Sequence, residues 1–231
     1  MAVHQTLIVF LQEMRKSVKI LVSSVVICTA VIFFLSPELL QLVQAHLSDE
    51  LYFFSVAGPF LAHIKLALFG SLFVLMPLIM TFIWRAIAKP FGVSGLALYC
   101  FIVATCLLFY VGTMFCYLIT LPFGIKFLLG YGSAELRPVI SVGRFVNFVT
   151  IFVLAFGLIF ELPIFMIFLA KVQVVSRKFF EKNRRYALLA IAVAAAVLTP
   201  TPDVVNMLLM GGPLYLLYEG GIITMIILRI R

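Results

Sequence analysis

Apolar residues in this chain gather into six runs of 13 to 26 residues, broken by basic residues, prolines or short polar stretches. The runs are about Ile20–Leu35, Ile64–Trp84, Leu96–Leu121, Phe145–Ala170, Tyr186–Leu198 and Val204–Leu228. Strands seldom run so long, whereas a hydrocarbon core of roughly 30 Å takes about 20 helical residues. The pattern predicts six membrane-spanning helices. Ser36-Pro37 stops the first, Arg85 ends the second and Pro122 ends the third. Gly211-Gly212-Pro213 interrupts the sixth. The fifth, Tyr186–Leu198, spans only about 20 Å as a helix. It must thin the bilayer, draw in its flanks or be shielded by partners.

Composition turns this pattern into a class. Of 231 residues, 65% are hydrophobic and 11% charged, and the mean hydropathy is +1.23. That is too little charge to clothe a soluble domain. The fold class is therefore all-α integral membrane, with 1–231 as a single six-span domain. No cleavable signal is expected, because the charged Glu13–Lys19 segment precedes the first run and no small-residue cleavage site follows. Cys28, Cys100, Cys106 and Cys116 lie in apolar runs without a CxxC pair, and His4, His46 and His63 are scattered. No metal site or cofactor is expected.

The net charge of +8 does not point to nucleic acid, since most of it flanks the runs. One set of ends holds Arg15, Lys16, Lys19, Arg85, Lys89, Lys171, Arg177, Lys178, Lys182, Arg184, Arg185, Arg229 and Arg231, 13 of the 17 basic residues. Lys65, Lys126, Arg137 and Arg144 lie at the other. The positive-inside rule then puts both termini in the cytoplasm. On the outer side, Pro37–His63 has helical periodicity over Glu38–Leu47 and aromatics over Tyr52–Phe60, and Phe123–Gly143 is of similar length. A cap of short helices is expected there.

One residue breaks the pattern. Glu161 lies inside the fourth run, about 15 Å from its basic end at Lys171. A carboxylate near mid-membrane costs roughly 2.5–3.5 kcal/mol on insertion scales, and such acids mark function by default. Pro163 adds a helix perturbation at the same depth. Glu161 and Glu219 are the acids within the runs. A proton-coupled solute carrier using Glu161 would call for more paired polar groups than these. An intramembrane enzyme would need a Ser–His, paired Asp or HExxH constellation, and the chain has none.

Several motifs carry a resemblance to a known family. They are Leu107-Leu108-Phe109-Tyr110-Val111-Gly112 with Leu121-Pro122, then Phe156-Gly157-Leu158-Ile159-Phe160-Glu161-Leu162-Pro163. Arg184-Arg185-Tyr186, Thr199-Pro200-Thr201-Pro202-Asp203 and Pro213-Leu214-Tyr215-Leu216-Leu217-Tyr218-Glu219 follow. With Phe10-Leu11-Gln12-Glu13-Met14-Arg15 at the start, the chain resembles the TatC family, the polytopic core subunit of the twin-arginine translocase.

The resemblance implies a glove-like six-span bundle in the bacterial inner membrane, with Glu161 in its concave face. It implies a non-enzymatic receptor for the twin-arginine signal peptides of folded precursors, driven by the proton-motive force. TatA and TatB single-span proteins are the implied partners, with homo-oligomers inside a TatBC complex and surrounding lipid. Glu13, Arg15 and Arg85 are implied for signal-peptide binding, with Glu13 as the acceptor, because carboxylates are natural acceptors for forked guanidinium donors. Thr199 and Met207 fall in the partner-contact region. Glu219 is either a second polar contact or an interfacial anchor. Pro163, Pro202 and Asp203 are structural, with Asp203 reading physically as an N-cap for the sixth span. Arg184 and Arg185 read as topology anchors. The chain departs from the family pattern at Leu96, where the family has the first-loop glutamate, and at Met207, where it has a glutamine.

Overall fold

A backbone in hydrocarbon must satisfy its own hydrogen bonds, and a helix does so within one segment. Helices accordingly dominate the computed structural model. The structure describes residues 2–45, 47, 51–130, 139–198 and 204–230, with side chains from Val18 onward except at 128, 198, 204–206 and 209. The first helices are α1 (Ala2–Phe33), α2 (Ser36–Gln44), α3 (Gly58–Val74) and α4 (Met76–Ala88). A 3-10 turn at Lys89–Phe91 leads to α5 (Leu96–Phe115), a π-helical turn (Cys116–Thr120) and α6 (Leu121–Leu129). Next come α7 (Val142–Ile159), α8 (Leu162–Lys171), α9 (Arg177–Lys182), α10 (Arg184–Leu198) and α11 (Val204–Ile227). Two-residue strands β1 (Leu51–Tyr52) and β2 (Ile140–Ser141) pair in parallel.

Among the described residues, three helical stretches are long and apolar enough to cross a membrane: Leu96–Phe127, Val142–Lys171 and Met210–Ile227. The number rises to five if the bent pairs at Val18–Gln44 and Gly58–Phe91 each count as one span. The fifth run becomes α10, which has 15 residues.

The first helix begins at Ala2, well before the expected Ile20, and three further differences from expectation lie at prolines. The second run is not one helix. It bends by 56° at Leu75, because Pro77 has no N–H to return to Phe73. Pro122 does not end the third run. The Leu121 N–H reaches back five residues to Cys116, and this π turn lets the helix continue to Leu129. Gly211-Gly212-Pro213 does not interrupt the sixth run, since α11 passes through Pro213 unbroken. An interruption there would bare several backbone groups to hydrocarbon, whereas an intact helix forgoes one bond. The expected cap of short helices is also only partly helical. Its first loop forms α2 and then β1, and the second loop forms α6 and β2.

The chain forms two compact units. In the first (1–107 and 134–151), α1 packs on α3 and α4, and α2 packs on α3. Ser71 donates to the Leu68 carbonyl at 2.7 Å, so Thr29 must donate the 2.8 Å bond between the two hydroxyls. At the 74° bend between α1 and α2, Ser36 donates to Phe33 O at 2.6 Å. The 3.0 Å contact from His63 Nδ1 to Ser36 therefore has the ring as donor. Buried Trp84 stacks on Phe101 at 5.1 Å and donates to Thr105 at 2.9 Å. This ties α4 to α5.

The second unit (108–133 and 152–231) turns on a glycine exchange between α5 and α7. A Cβ at Gly157 would lie 2.5 Å from the Phe109 ring and 2.7 Å from the Thr113 methyl. A Cβ at Gly112 would lie 2.6 Å from the Phe160 ring. Each helix supplies the gap that the other's aromatic ring fills. Further on, α11 packs on α8, α9 and α10.

This packing gives a direct test. Gly157→Ala overfills the crossing and should cost about 1–3 kcal/mol, read as a lowered thermal unfolding midpoint in detergent. Gly212→Ala, with nothing within 4 Å of its added carbon, should leave the midpoint unchanged or raise it.

Candidate functional site

The second unit holds Glu161 and Glu219, the two acids of the apolar runs. Glu161 is 1% exposed and sits where α7 stops and α8 begins. Pro163 has no N–H to offer the Ile159 carbonyl, so the regular ladder fails one turn before it. The backbone tightens instead: Glu161 N–H bonds Leu158 O at 3.2 Å, and Glu161 O accepts from Ile164 at 3.0 Å and Phe165 at 3.1 Å. Phe160, the residue before it, lies against Phe115 at 5.7 Å between ring centroids. On the other side, the Pro163 backbone would meet a Cβ at Gly221 of α11 at 3.3 Å. The helix break that carries the glutamate is thus packed from two sides by aromatic and backbone contacts.

Glu219 has defined partners. Its Oε2 is 3.1 Å from Arg184, and its Oε1 accepts from the Tyr215 hydroxyl at 3.0 Å, one helical turn away. Tyr218 donates to the Phe180 carbonyl at 2.8 Å and meets the Phe180 ring edge-on at 6.5 Å. These contacts fasten the start of α10 and the region around α9 to α11. Arg184, read from sequence as an anchor, is therefore also the partner of Glu219. The spacing held a signal for this pairing. Arg184 lies 14 residues before Leu198 and Glu219 lies 15 after Val204, so an antiparallel hairpin brings them level.

The remaining assigned residues are dispersed. Arg85 is exposed in the last turn of α4. Leu96 opens α5 and is 79% exposed. Met207 is half-buried in α11. Glu13 and Arg15 fall within α1, but their side chains lie outside the described residues, as do Thr199, Pro202 and Asp203 altogether. Among the described residues no group of three His, Cys, Asp or Glu could hold a metal ion.

Comparison with known proteins places these features in a family context. Residues 9–213 match the family described as Sec-independent protein translocase protein (TatC). The chain is 35% identical over 225 residues to the Sec-independent protein translocase protein TatC of Carboxydothermus hydrogenoformans, covering 94% of this chain and 91% of that one. It is 31% identical over 220 residues to the TatC protein of Campylobacter jejuni, covering 91% and 89%. A crystal structure of the twin-arginine translocase receptor TatC in DDM superposes with a TM-score of 0.80 at 30% identity, covering 93% of this chain and 98% of that one.

The Arg184–Glu219 contact can be measured. Both groups are partly exposed, so a double-mutant cycle with Arg184→Gln and Glu219→Gln should give a coupling of about 0.2–1 kcal/mol in thermal unfolding. Additive single effects would show the pair to be energetically silent.

Proposed function

This chain belongs to the TatC family of Sec-independent protein translocase proteins, and from that premise we propose how its residues divide the work of a translocase receptor. It is a membrane-embedded core subunit of the Tat translocase and not an enzyme. In the proposed arrangement it lies in a bacterial inner membrane as one six-span domain with both termini cytoplasmic, as the distribution of basic residues favours. It binds twin-arginine signal peptides on the cytoplasmic side through Glu13, with Arg15 and Arg85 beside that acceptor. It holds TatA and TatB partners near Thr199, Met207 and Glu219, in oligomers with copies of itself. Folded cargo then crosses at the expense of the proton-motive force.

The observation that carries this reading is Glu161. An ionisable residue 1% exposed, at a helix break inside the apolar stretch Val142–Lys171, is costly to keep and marks a functional position. A solute carrier is a weaker fit. Of the two acids in the apolar runs, Glu219 is already engaged by Arg184 and Tyr215.

Two measurements test the reading. Purified protein should photocrosslink to a signal peptide carrying Arg-Arg over one carrying Lys-Lys by roughly tenfold, the factor that one charge-assisted hydrogen bond of about 1.5 kcal/mol supplies. Equal labelling would remove the recognition role. Glu161→Ala should abolish export while the amount of protein in the membrane stays at the wild-type level. Unimpaired export would remove Glu161 from the mechanism.

A further inference from the structure

Residues 51–57 complete the connection from α2 to α3 after Asp49 and Glu50, and from Leu51 through Ile64, inside α3, the chain contains no Asp, Glu, Lys or Arg. A connection washed by water ordinarily carries charge or turn-forming polar residues. Past its two acids this one exposes Phe53 and Phe54, with Val56 98% exposed, and the first turn of α3 adds Phe60. The turn between α1 and α2 adds Phe34, 83% exposed. These segments meet: Phe33 contacts the Phe34 ring at 6.3 Å and the Phe60 ring at 6.1 Å. Exposed aromatic surface of this extent marks a partner or a membrane.

The direction in which the patch continues distinguishes the two. The exposed apolar side chains of α3 include Leu61, Ile64 and Leu68. Their spacing of three and four residues puts them on one helix face. The patch therefore runs without a polar break into a stripe of a helix that the apolar pattern seats in lipid. The side chains are phenylalanine and valine, which favour acyl chains, and Tyr52 stands at the margin, where an amphipathic ring favours the headgroup boundary. Within 51–64 no charged side chain interrupts the apolar surface, and Asp49 and Glu50 precede it in sequence. The 74° bend after α1 also turns α2 off the line of the spanning helix, as expected of a segment lying along a bilayer surface.

We propose that the segment 52–61, together with Phe34, is seated in the bilayer and forms an interfacial anchor in the leaflet at the α1–α2 bend. On this account the pairing of β1 with β2 has a clear use. Leu51↔Ile140 and Tyr52↔Ser141 hold the start of the anchor to the start of α7, so that its depth is set relative to two helices of the first unit.

The test uses the full-length protein in nanodiscs of phosphatidylcholine and phosphatidylglycerol, with Phe54→Trp and Val56→Trp made separately so that misfolding of one leaves the other. The native Trp84 is fully buried and supplies a constant baseline. Lys178→Trp, at an exposed loop-proximal site, supplies the aqueous reference. Lipids brominated high on the acyl chain should quench the added fluorescence at 54 and 56 at least twofold, and aqueous iodide should quench it far less than at 178. Iodide quenching equal to that at 178, with no effect of brominated lipid, would overturn the proposal in favour of an aqueous loop. Insensitivity to both quenchers would overturn it in favour of a protein cover, such as a second copy of the chain.

Discussion

Hydrocarbon offers a peptide group no hydrogen-bonding partner, so every proline inside a spanning segment poses the same problem. This chain meets it in four ways. At Pro77 the helix bends outright at Leu75. At Pro122 a π turn carries the helix past the missing donor. At Pro213 the helix forgoes the bond and continues. At Pro163 it breaks over two residues, and Glu161 is one of the two. In the first three cases the surroundings are apolar and the irregularity only shapes the path of the chain. In the fourth the irregularity coincides with an ionisable side chain, so the disturbed backbone and the buried carboxylate occupy one place.

That place is held firmly. Gly112 and Gly157 allow α5 and α7 to approach until each helix's backbone touches the other's rings. Phe160 fills the gap at Gly112 and immediately precedes Glu161. Rotation of the break would drive this ring into α5, so the packing that stabilises the crossing also limits where Glu161 can point. From the other side, Pro163 rests against Gly221 of α11. The same α11 carries Glu219, whose contact with Arg184 ties α10 to it. The proposed intramembrane site and the short α10 are thus fixed through one helix. A carboxylate placed by a close-packed framework is better suited to a defined encounter than one on a mobile loop.

Much of this was legible in the sequence, and the parts that were not share a cause. The apolar runs located the helices because a length of apolar chain has one common solution in lipid. Glu161 stood out because its cost is intrinsic to residue type and depth. What misled was punctuation learned from water. Pro122 and Gly211-Gly212-Pro213 would end or break a helix where solvent can satisfy the freed carbonyls, whereas in an apolar stretch continuing is the cheaper course. The parallel pairing of Leu51–Tyr52 with Ile140–Ser141 was out of reach, since two-residue strands far apart in the chain leave no periodicity. The glycine exchange was hidden for a related reason: small residues acquire meaning only once the opposing rings are known. Arg184 with Glu219 was recoverable by counting from the turn.

Leu96 sharpens what recognition of a twin-arginine peptide would require in this chain. It occupies the first turn of α5 and is 79% exposed, directly after Gly95 at φ +63°. An acid there would be favoured by the partial positive charge of the helix N-terminus, so helix stability does not explain a leucine. The connection it closes has no acid at all, so it offers an approaching pair of guanidinium groups no carboxylate acceptor. Attraction must therefore come from a carboxylate on another segment. Glu219 is a poor free acceptor, because Arg184 and Tyr215 already occupy both its oxygens, and Glu161 lies deep in an apolar stretch. In the proposed function, Glu13 on α1 is then the acceptor on which discrimination between arginine and lysine depends. Glu161 would act at a later step, once the peptide has entered the bilayer and a buried carboxylate becomes reachable.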